Sequence, residues 1–392
     1  MLRTALLDNN NNHNHMTEKD ETINDNSTAK TTPLPPTMKA AVVTAFGLDD
    51  LTSNLSVQTD WPTPTLSDDD DNDNALIIRV LACALAPGDV RVMSGKTAYL
   101  QCPEGPPYVI GSDVSGIVVQ VPSSASCRFQ VGDYVVSRFD EPKPRGGVAE
   151  YAKVLLHLTE HCPDSISPIT ACGLPASAMA AKRITADFVR KGDRVLVIGA
   201  SGAVGSCVLQ YAKLQGARFL AAESTQTQQC LRLGADQVID YRQQRWWQVP
   251  AFQQDKFNVV FDMVNEDNWT VGAQTGLAVE PNGTYVALLS GVQTEMTVRG
   301  PWDIVPLMFT MMGRILWSKW HPRLPRWVAP EALLLQEGDL HDLLQDVASD
   351  KLLPIVDPAC PFNFDSDGVR QAVALQQSRH AHGKVVIKIG ET

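Results

Sequence analysis

The stretch Val195–Glu223, VLVIGASGAVGSCVLQYAKLQGARFLAAE, decides how the rest of the chain is read. Four apolar residues, Val195–Ile198, lead into glycines at 199, 202 and 205, and an apolar helical pattern follows over Val204–Leu214. A buried strand that breaks at glycines and resumes as a helix is what a diphosphate cradle requires. Glycine reaches positive φ and lets a ligand approach the backbone, and the free N–H groups of a helix N-terminus favour an anion. The spacing is GxxGxxG, with Ala203 where the commoner GxGxxG carries its middle glycine, and Ser201 adds a hydroxyl. A plain strand-to-helix turn is the competing reading. The context favours the cradle, so Gly199, Ser201, Gly202, Ala203, Val204 and Gly205 are the expected dinucleotide contacts.

The next strand, Phe219–Glu223, ends on an acid 18 residues after Gly205. Such an acid accepts from both ribose hydroxyls and favours NAD, unless it is a solvated loop residue. Gln226, Tyr241 and Arg242 support the opposite choice, with Arg242 supplying charge to the 2′-phosphate of NADP. These residues alone leave the two cofactors balanced. Val264, closing FNVVFDMV, joins the expected cofactor contacts.

Strand and helix patterns alternate on either side of the motif. Helical composition over Ile169–Thr185 precedes it, with Pro175 at a turn or kink; a helix near Thr227–Leu233 and strands QVIDY, FNVVFDMV and GTYVALL follow. Strands separated by helices of this size mean βαβ crossovers and a parallel sheet. Before residue 168 the style is different. MKAAVVTAF, ALIIRVLACAL, VIGSDVSGIVVQVP, VGDYVVS and GGVAEYAKV are strand-like runs punctuated by glycine and proline, which indicates a partly closed β-rich domain. The tail gives a helix in HDLLQDVASDKL, an extended LLPIVD, a helix in VRQAVALQQS and a strand in GKVVIKIG, returning to the β-rich style. The fold class is therefore α/β, a doubly wound parallel sheet domain inserted in a β-rich domain. The expected divisions are a tail at 1–37, the β-rich domain at 38–167 and 345–392, and the nucleotide domain at 168–344.

Charge narrows the partners. The chain of 392 residues has a net charge of −11, but residues 1–75 hold 13 acidic residues against 4 basic ones. The near-neutral remainder has no electrostatic footprint for nucleic acid. The Asn-rich residues 1–37 read as disordered and SDDDDNDN (Ser67–Asn74) as a solvated loop. Met1–Leu7 imitates the start of a transit peptide, yet acids follow at once and arginine is nearly absent; no secretory apolar region is present, and cytoplasm is the default. The eight cysteines form no CxxC and read as buried small hydrophobes in a reducing compartment.

With these motifs in order, the chain resembles the medium-chain dehydrogenase/reductases, and within them the zinc-independent quinone oxidoreductase (zeta-crystallin-like) branch. PYVIGSDVSGIVVQV, FQVGDYVV, GGVAEYA, GDRVLVIGASGAVGSCVLQYAKLQGA, LGADQVIDYR, FNVVFDMV and GKVVIKIG carry the likeness across Met38–Gly390. The resemblance implies a GroES-like catalytic domain, a Rossmann domain, NADPH or NADH as cofactor, and a homodimer. Where alcohol dehydrogenases of the superfamily place zinc ligands, this chain has Ala86, Ser112 beside Asp113, and a position near Ala176; the four-cysteine structural lobe is replaced by SRFDEPKPRGG. A catalytic zinc needs about three protein ligands, so none is expected. Without a Lewis acid, hydride delivery from NAD(P)H to an electrophilic quinone or α,β-unsaturated carbonyl is the accessible reaction. The branch carries Asn-Pro-x-Asp in its substrate loop, here Ala86-Pro87-Gly88-Asp89, and a tyrosine further on, here Arg91. Asp89 is either catalytic or a turn-capping carboxylate; Arg91 binds an acceptor oxygen or pairs with Asp89 at the surface. These departures keep two other functions open, a nucleotide-binding scaffold without efficient turnover and an NAD-linked dehydrogenase of another substrate.

One segment stands apart. PWDIVPLMFTMMGRILWSKWHPRLPRWVAP (Pro301–Pro330) holds tryptophans at 302, 317, 320 and 327. Its charges and prolines exclude a bilayer span. It reads as core or interface packing first, with a lid over an apolar acceptor, or a surface touching membrane, as alternatives. It is similar to the corresponding part of mitochondrial reticulon-interacting NADPH oxidoreductases, which makes mitochondria the alternative compartment.

Overall fold

The computed structural model describes residues 33–47, 50–66, 74–102, 104–122, 127–139, 146–264, 268–288, 297–298, 300–329 and 339–391. The readings of residues 1–32 as disordered and of 67–73 as a solvated loop lie outside the described residues.

Three antiparallel strands open the chain: β1 (Thr37–Val43) pairs with β2 (Leu55–Pro62) and with β4 (Tyr108–Val109). The second strand is not among those expected from the sequence, and its weakly apolar LSVQTDWP explains why. Next to this sheet runs β3 (Ala75–Leu85), buried at every position but Arg79, as its unbroken apolar sequence requires. It is central to a sheet ordered β15–β16–β3–β5–β6–β8, with β7 also paired to it. The partners are β5 (Asp113–Gln120), β6 (Tyr134–Arg138), β7 (Tyr151–Leu155), β8 (Thr159–His161), β15 (Phe362–Asn363) and β16 (Val385–Lys388). The single run expected over Val109–Pro122 breaks at Gly111, whose φ is 114°. A side chain there would meet Cys83 Sγ at 2.5 Å, so the chain turns and feeds β4 and β5 to different sheets. The tail returns as read: β16 pairs antiparallel with β3. LLPIVD, however, is no strand and makes only an isolated bridge from Val356 to Lys384.

Side chains alternate along a strand, and β9 (Arg194–Ile198) is buried throughout. Val195 and Val197 enter one apolar cluster and Leu196 and Ile198 another, so the strand is covered on both faces. It sits between β10 (Phe219–Glu223) and β12 (Phe257–Asp262) in a parallel sheet ordered β11–β10–β9–β12–β13–β14. The remaining members are β11 (Gln237–Ile239), β13 (Val279–Ala287) and β14 (Arg326–Val328). A short helix, α1 (Pro87–Met93), follows β3. The helical stretch 169–185 is in fact two helices, Pro168–Cys172 and α2 (Pro175–Phe188), with Pro175 at the start of the second rather than at a kink. With α3 (Ala203–Leu214), α2 covers one face of the parallel sheet; Trp246, Phe252 and Trp269 cover the other. Further helices include α4 (Thr227–Arg232), α5 (Pro301–Trp320), α6 (Asp339–Ala348) and α7 (Ser366–Ser378). The division expected at 344/345 falls within α6, whose Leu340, Leu343 and Leu344 pack in the cluster of α2 and α3. All eight cysteines are free thiols, and only Cys127 and Cys360 are less than fully buried.

Candidate active site

The glycines do three different things. Gly199 ends β9 at a φ of 77°, and the N–H groups of Gly199 and Ala200 both donate to Glu223 O at 3.2 Å, closing the turn against the neighbouring strand. Gly205 lies where a Cβ would stand 2.3 Å from Gly199 O, so glycine alone lets α3 approach β9 this closely. Gly202 is the N-cap of α3, and a Cβ there would meet only Gly199 O, at 3.4 Å. Space above Gly202 is therefore free. The helix begins at Ala203, one residue earlier than read, and its first N–H groups have no intrahelical acceptor. Gln229 Nε2 donates to Ser201 O at 3.2 Å and steadies the turn, while Val264 lies over Gly199. An open space above unpartnered amides fits the diphosphate of a dinucleotide.

Glu223 is neither solvated nor in a loop. It is the last residue of β10, only 5% exposed, and shares the face of Ala221, opposite the face covered by α3. Its Oε1 has no hydrogen-bond partner among the described residues. Burial, with the Asp262 carboxylate adding to it, pushes the Glu223 carboxyl up to about 7. Asp262 in turn accepts from Val264 N at 2.9 Å and from the Tyr285 hydroxyl. Glu223, the expected ribose contact, is thus a buried carboxyl with one oxygen unpartnered among the described residues. A carboxyl raised in the folded chain keeps its proton while the unfolded chain, near 4.5, releases it. Stability contributed by this group therefore falls as pH rises from 4.5 to about 7 and is level outside that window. In Glu223→Gln that slope is expected to disappear, a difference on the order of 2 kcal/mol between pH 4.5 and pH 8. Urea denaturation of both proteins at the two pH values measures it; parallel behaviour would contradict the buried, protonated carboxyl.

The other expected ribose-side residues are partly engaged. Gln226 is the N-cap of α4, its N–H donates to Ser224 Oγ at 3.0 Å, and its Nε2 lies 3.1 Å from His382 Nε2. Tyr241 is exposed just beyond β11. Arg242 is not the free cation it was read to be: its Nε and Nη2 donate to Asp240 at 3.0 and 2.7 Å. His382, which sequence reasoning missed, joins the C-terminal return to the nucleotide side, and its own N–H donates to Asp357 Oδ2 at 2.6 Å.

In the β-rich part of the chain, Asp89 is buried. Its Oδ2 accepts from Ala86 N and Ser112 Oγ, both at 2.7 Å, and its Oδ1 from Gly111 N at 3.0 Å. Burial raises this carboxyl and the three donors oppose the rise. It caps α1 and pins the Gly111–Ser112 turn, the second of the two roles read for it. The expected surface pair with Arg91 does not form. Arg91 makes no ion pair among the described residues, its Nε is buried without a partner, and burial lowers its guanidinium, as Arg379 nearby does to a smaller degree. A second feature was also missed: Lys384 Nζ lies 2.7 Å from Asp113 Oδ2 in a buried ion pair. The residues at the zinc-ligand positions do not fit the metal. Ala86 and Ala176 offer no donor atom, Ser112 is spent on Asp89, and Asp113 on Lys384. Among the described residues no group of three His, Cys, Asp or Glu side chains is placed to hold a metal ion.

Two family descriptions match this chain: "Alcohol dehydrogenase GroES-like domain" over residues 72–187 and "Zinc-binding dehydrogenase" over residues 233–387. The 2-methylene-furan-3-one reductase of Solanum lycopersicum is 30% identical over 368 residues, covering 92% of this chain and 81% of that protein. The chloroplastic NADPH-dependent alkenal/one oxidoreductase of Arabidopsis thaliana is 31% identical over 364 residues, covering 90% and 80%. The fold is that of the quinone oxidoreductase from Coxiella burnetii, with a TM-score of 0.71 at 24% identity, over 90% of this chain and 100% of the other.

Proposed function

The chain belongs to the medium-chain dehydrogenase/reductase superfamily, and from that premise we propose that it transfers hydride from NADPH to an enone or quinone without zinc. The observations that carry the reading are the open Gly199–Gly205 cradle and, at the zinc-ligand positions, a donor set that does not fit a metal. We take 38–167 with the return segment that follows α6 as the catalytic domain, and 168 to the end of α6 as the nucleotide domain.

When bound, the nicotinamide supplies the hydride. The amides opening α3 hold the diphosphate, and Gly202 keeps the approach clear. Gln226 and Tyr241 line the 2′-phosphate end, with Arg242 shared between that group and Asp240. NADPH is preferred because the similar Arabidopsis enzyme is NADPH-dependent. Asp89 is a positioning residue that holds the 86–89 and 111–112 turns together. Arg91 carries the acceptor: a half-buried guanidinium with no ion pair among the described residues stabilises the negative charge that develops on a carbonyl oxygen as hydride arrives at carbon. Solvent then protonates the enolate or hydroquinone anion.

Fluorescence titration with NADPH and NADH, followed by steady-state oxidation with quinones and enones, tests this. NADPH is expected to bind tighter and to turn over. Arg91→Ala is expected to lower kcat/KM by about 100-fold, the scale of one lost charge-stabilising donor, with cofactor affinity unchanged. Tight NADPH binding with no turnover on any acceptor would instead assign a nucleotide-binding scaffold, and preference for NADH would remove the NADP assignment.

A further inference from the structure

The segment read first as core packing is a helix whose apolar side is in water. Along α5 the inward strip is narrow. Ser318 is buried and accepts from Trp327 N at 3.0 Å, and the Arg314 guanidinium lies 5.8 Å from the centre of the buried Trp327 ring. Apart from Asp303, Ile304 and Met311, which are half-buried, the helix's other described side chains face out. Trp302, Phe309 and Trp320 are 83%, 74% and 81% exposed, and Met308, Leu316 and Trp317 stand between them. A helix of 20 residues presents this surface over about 30 Å, well beyond what scattered exposed hydrophobes explain.

Its charge is as one-sided as its apolarity. Between Asp303 and Glu331 the sequence has no acidic residue and four cations, Arg314, Lys319, Arg323 and Arg326, in a chain of net charge −11. Asp303 is turned to the helix end, where it accepts from Gly300 N at 3.2 Å. Lys319, Arg323 and Arg326 are exposed at the other end of the helix. Tryptophan at both ends of an apolar face, with cations gathered at its margin, matches the boundary between headgroups and acyl chains. No described helix is long and apolar enough to cross a membrane, so the fit is to a helix lying in the surface.

We propose that α5 is the face by which this chain docks on an anionic lipid bilayer. Apolar side chains enter the acyl boundary, and Lys319, Arg323 and Arg326 meet lipid phosphates and carboxylates. The inference does not rest on the hydride-transfer reading, and its test needs neither cofactor nor acceptor. The full chain is sedimented with phosphatidylcholine vesicles that contain or lack phosphatidylserine, and its tryptophan emission is followed with brominated lipid. Binding to the anionic vesicles, with quenching, is expected, and little binding to the neutral ones. Lys319→Gln should weaken it about fivefold, the effect of roughly one charge near such a surface. Phe309→Ser/Trp320→Ser should abolish it with circular dichroism unchanged, since both side chains are exposed in the folded chain. Failure to bind, or binding that ignores lipid charge and these substitutions, overturns the proposal. If the parent chain instead forms a dimer that the double substitution dissociates and does not bind vesicles, the face belongs to a second copy and the proposal is equally overturned.

Discussion

Gly202→Val is expected to fold normally and to lose affinity for NADPH by about 100-fold or more. Its Cβ would meet nothing but Gly199 O, at 3.4 Å, an ordinary contact. The Gly202 backbone, with φ −72° and ψ 172°, also suits any L-residue. The added methyls would fill the space above the first amides of α3, where phosphate oxygens have to settle. Losing two charge-assisted hydrogen bonds there is worth ~3 kcal/mol, or about two decades in Kd. Gly205→Val makes the control. Its Cβ would stand 2.3 Å from Gly199 O and 2.8 Å from Ala200 Cα, both backbone atoms, so the damage falls on folding. Thermal melts and fluorescence titrations of the two variants separate a blocked ligand site from a broken helix–strand contact. A folded Gly202→Val protein that binds NADPH as the parent does would remove the cradle assignment.

How far the sequence shows this site depends on how local each interaction is. The order of β9, glycine turn and α3 is legible because strand apolarity, positive φ and helix periodicity are written in consecutive residues. Arg242 and Asp240 are two residues apart, so their pairing was open to a local reading and was passed over for a ligand role. The orientation of Glu223 was not legible. Alternation tells that it shares a face with Ala221, but only the folded sheet tells which face α3 covers. Asp89 accepts from donors 22 and 23 residues away across a turn, and no pattern announces them. Helix α5 shows the opposite failure. Its apolarity implied burial, yet β14 is too short to cover more than one strip of it, and the remaining face is left to water or to a partner.

The least legible feature is also the one with the largest expected effect on stability. Lys384 and Asp113 are separated by 271 positions in sequence, and each sits in a run that reads as a plain strand. In the fold β3 lies between them: Asp113 is aligned with Ala84, and Ala84 with Val386. The pair therefore ties β5 to the C-terminal return, next to the turn that Asp89 holds. The side chains are 4% and 1% exposed, and Asp113 Oδ1 has no partner among the described residues. Removing one charge strands the other in a medium that solvates it poorly, at a cost of about 3–5 kcal/mol. Lys384→Met and Asp113→Leu are each expected to lose that much in urea unfolding. The double variant, with no buried charge left, is expected within about 2 kcal/mol of the parent, because a well-packed apolar pair replaces a buried ion pair at little cost. Single variants that unfold at the parent's midpoint would mean that water reaches the pair and that the C-terminal strand is held by its ladder and apolar contacts alone. If the double variant loses the sum of both, the charges act on different neighbours and the two are not a couple.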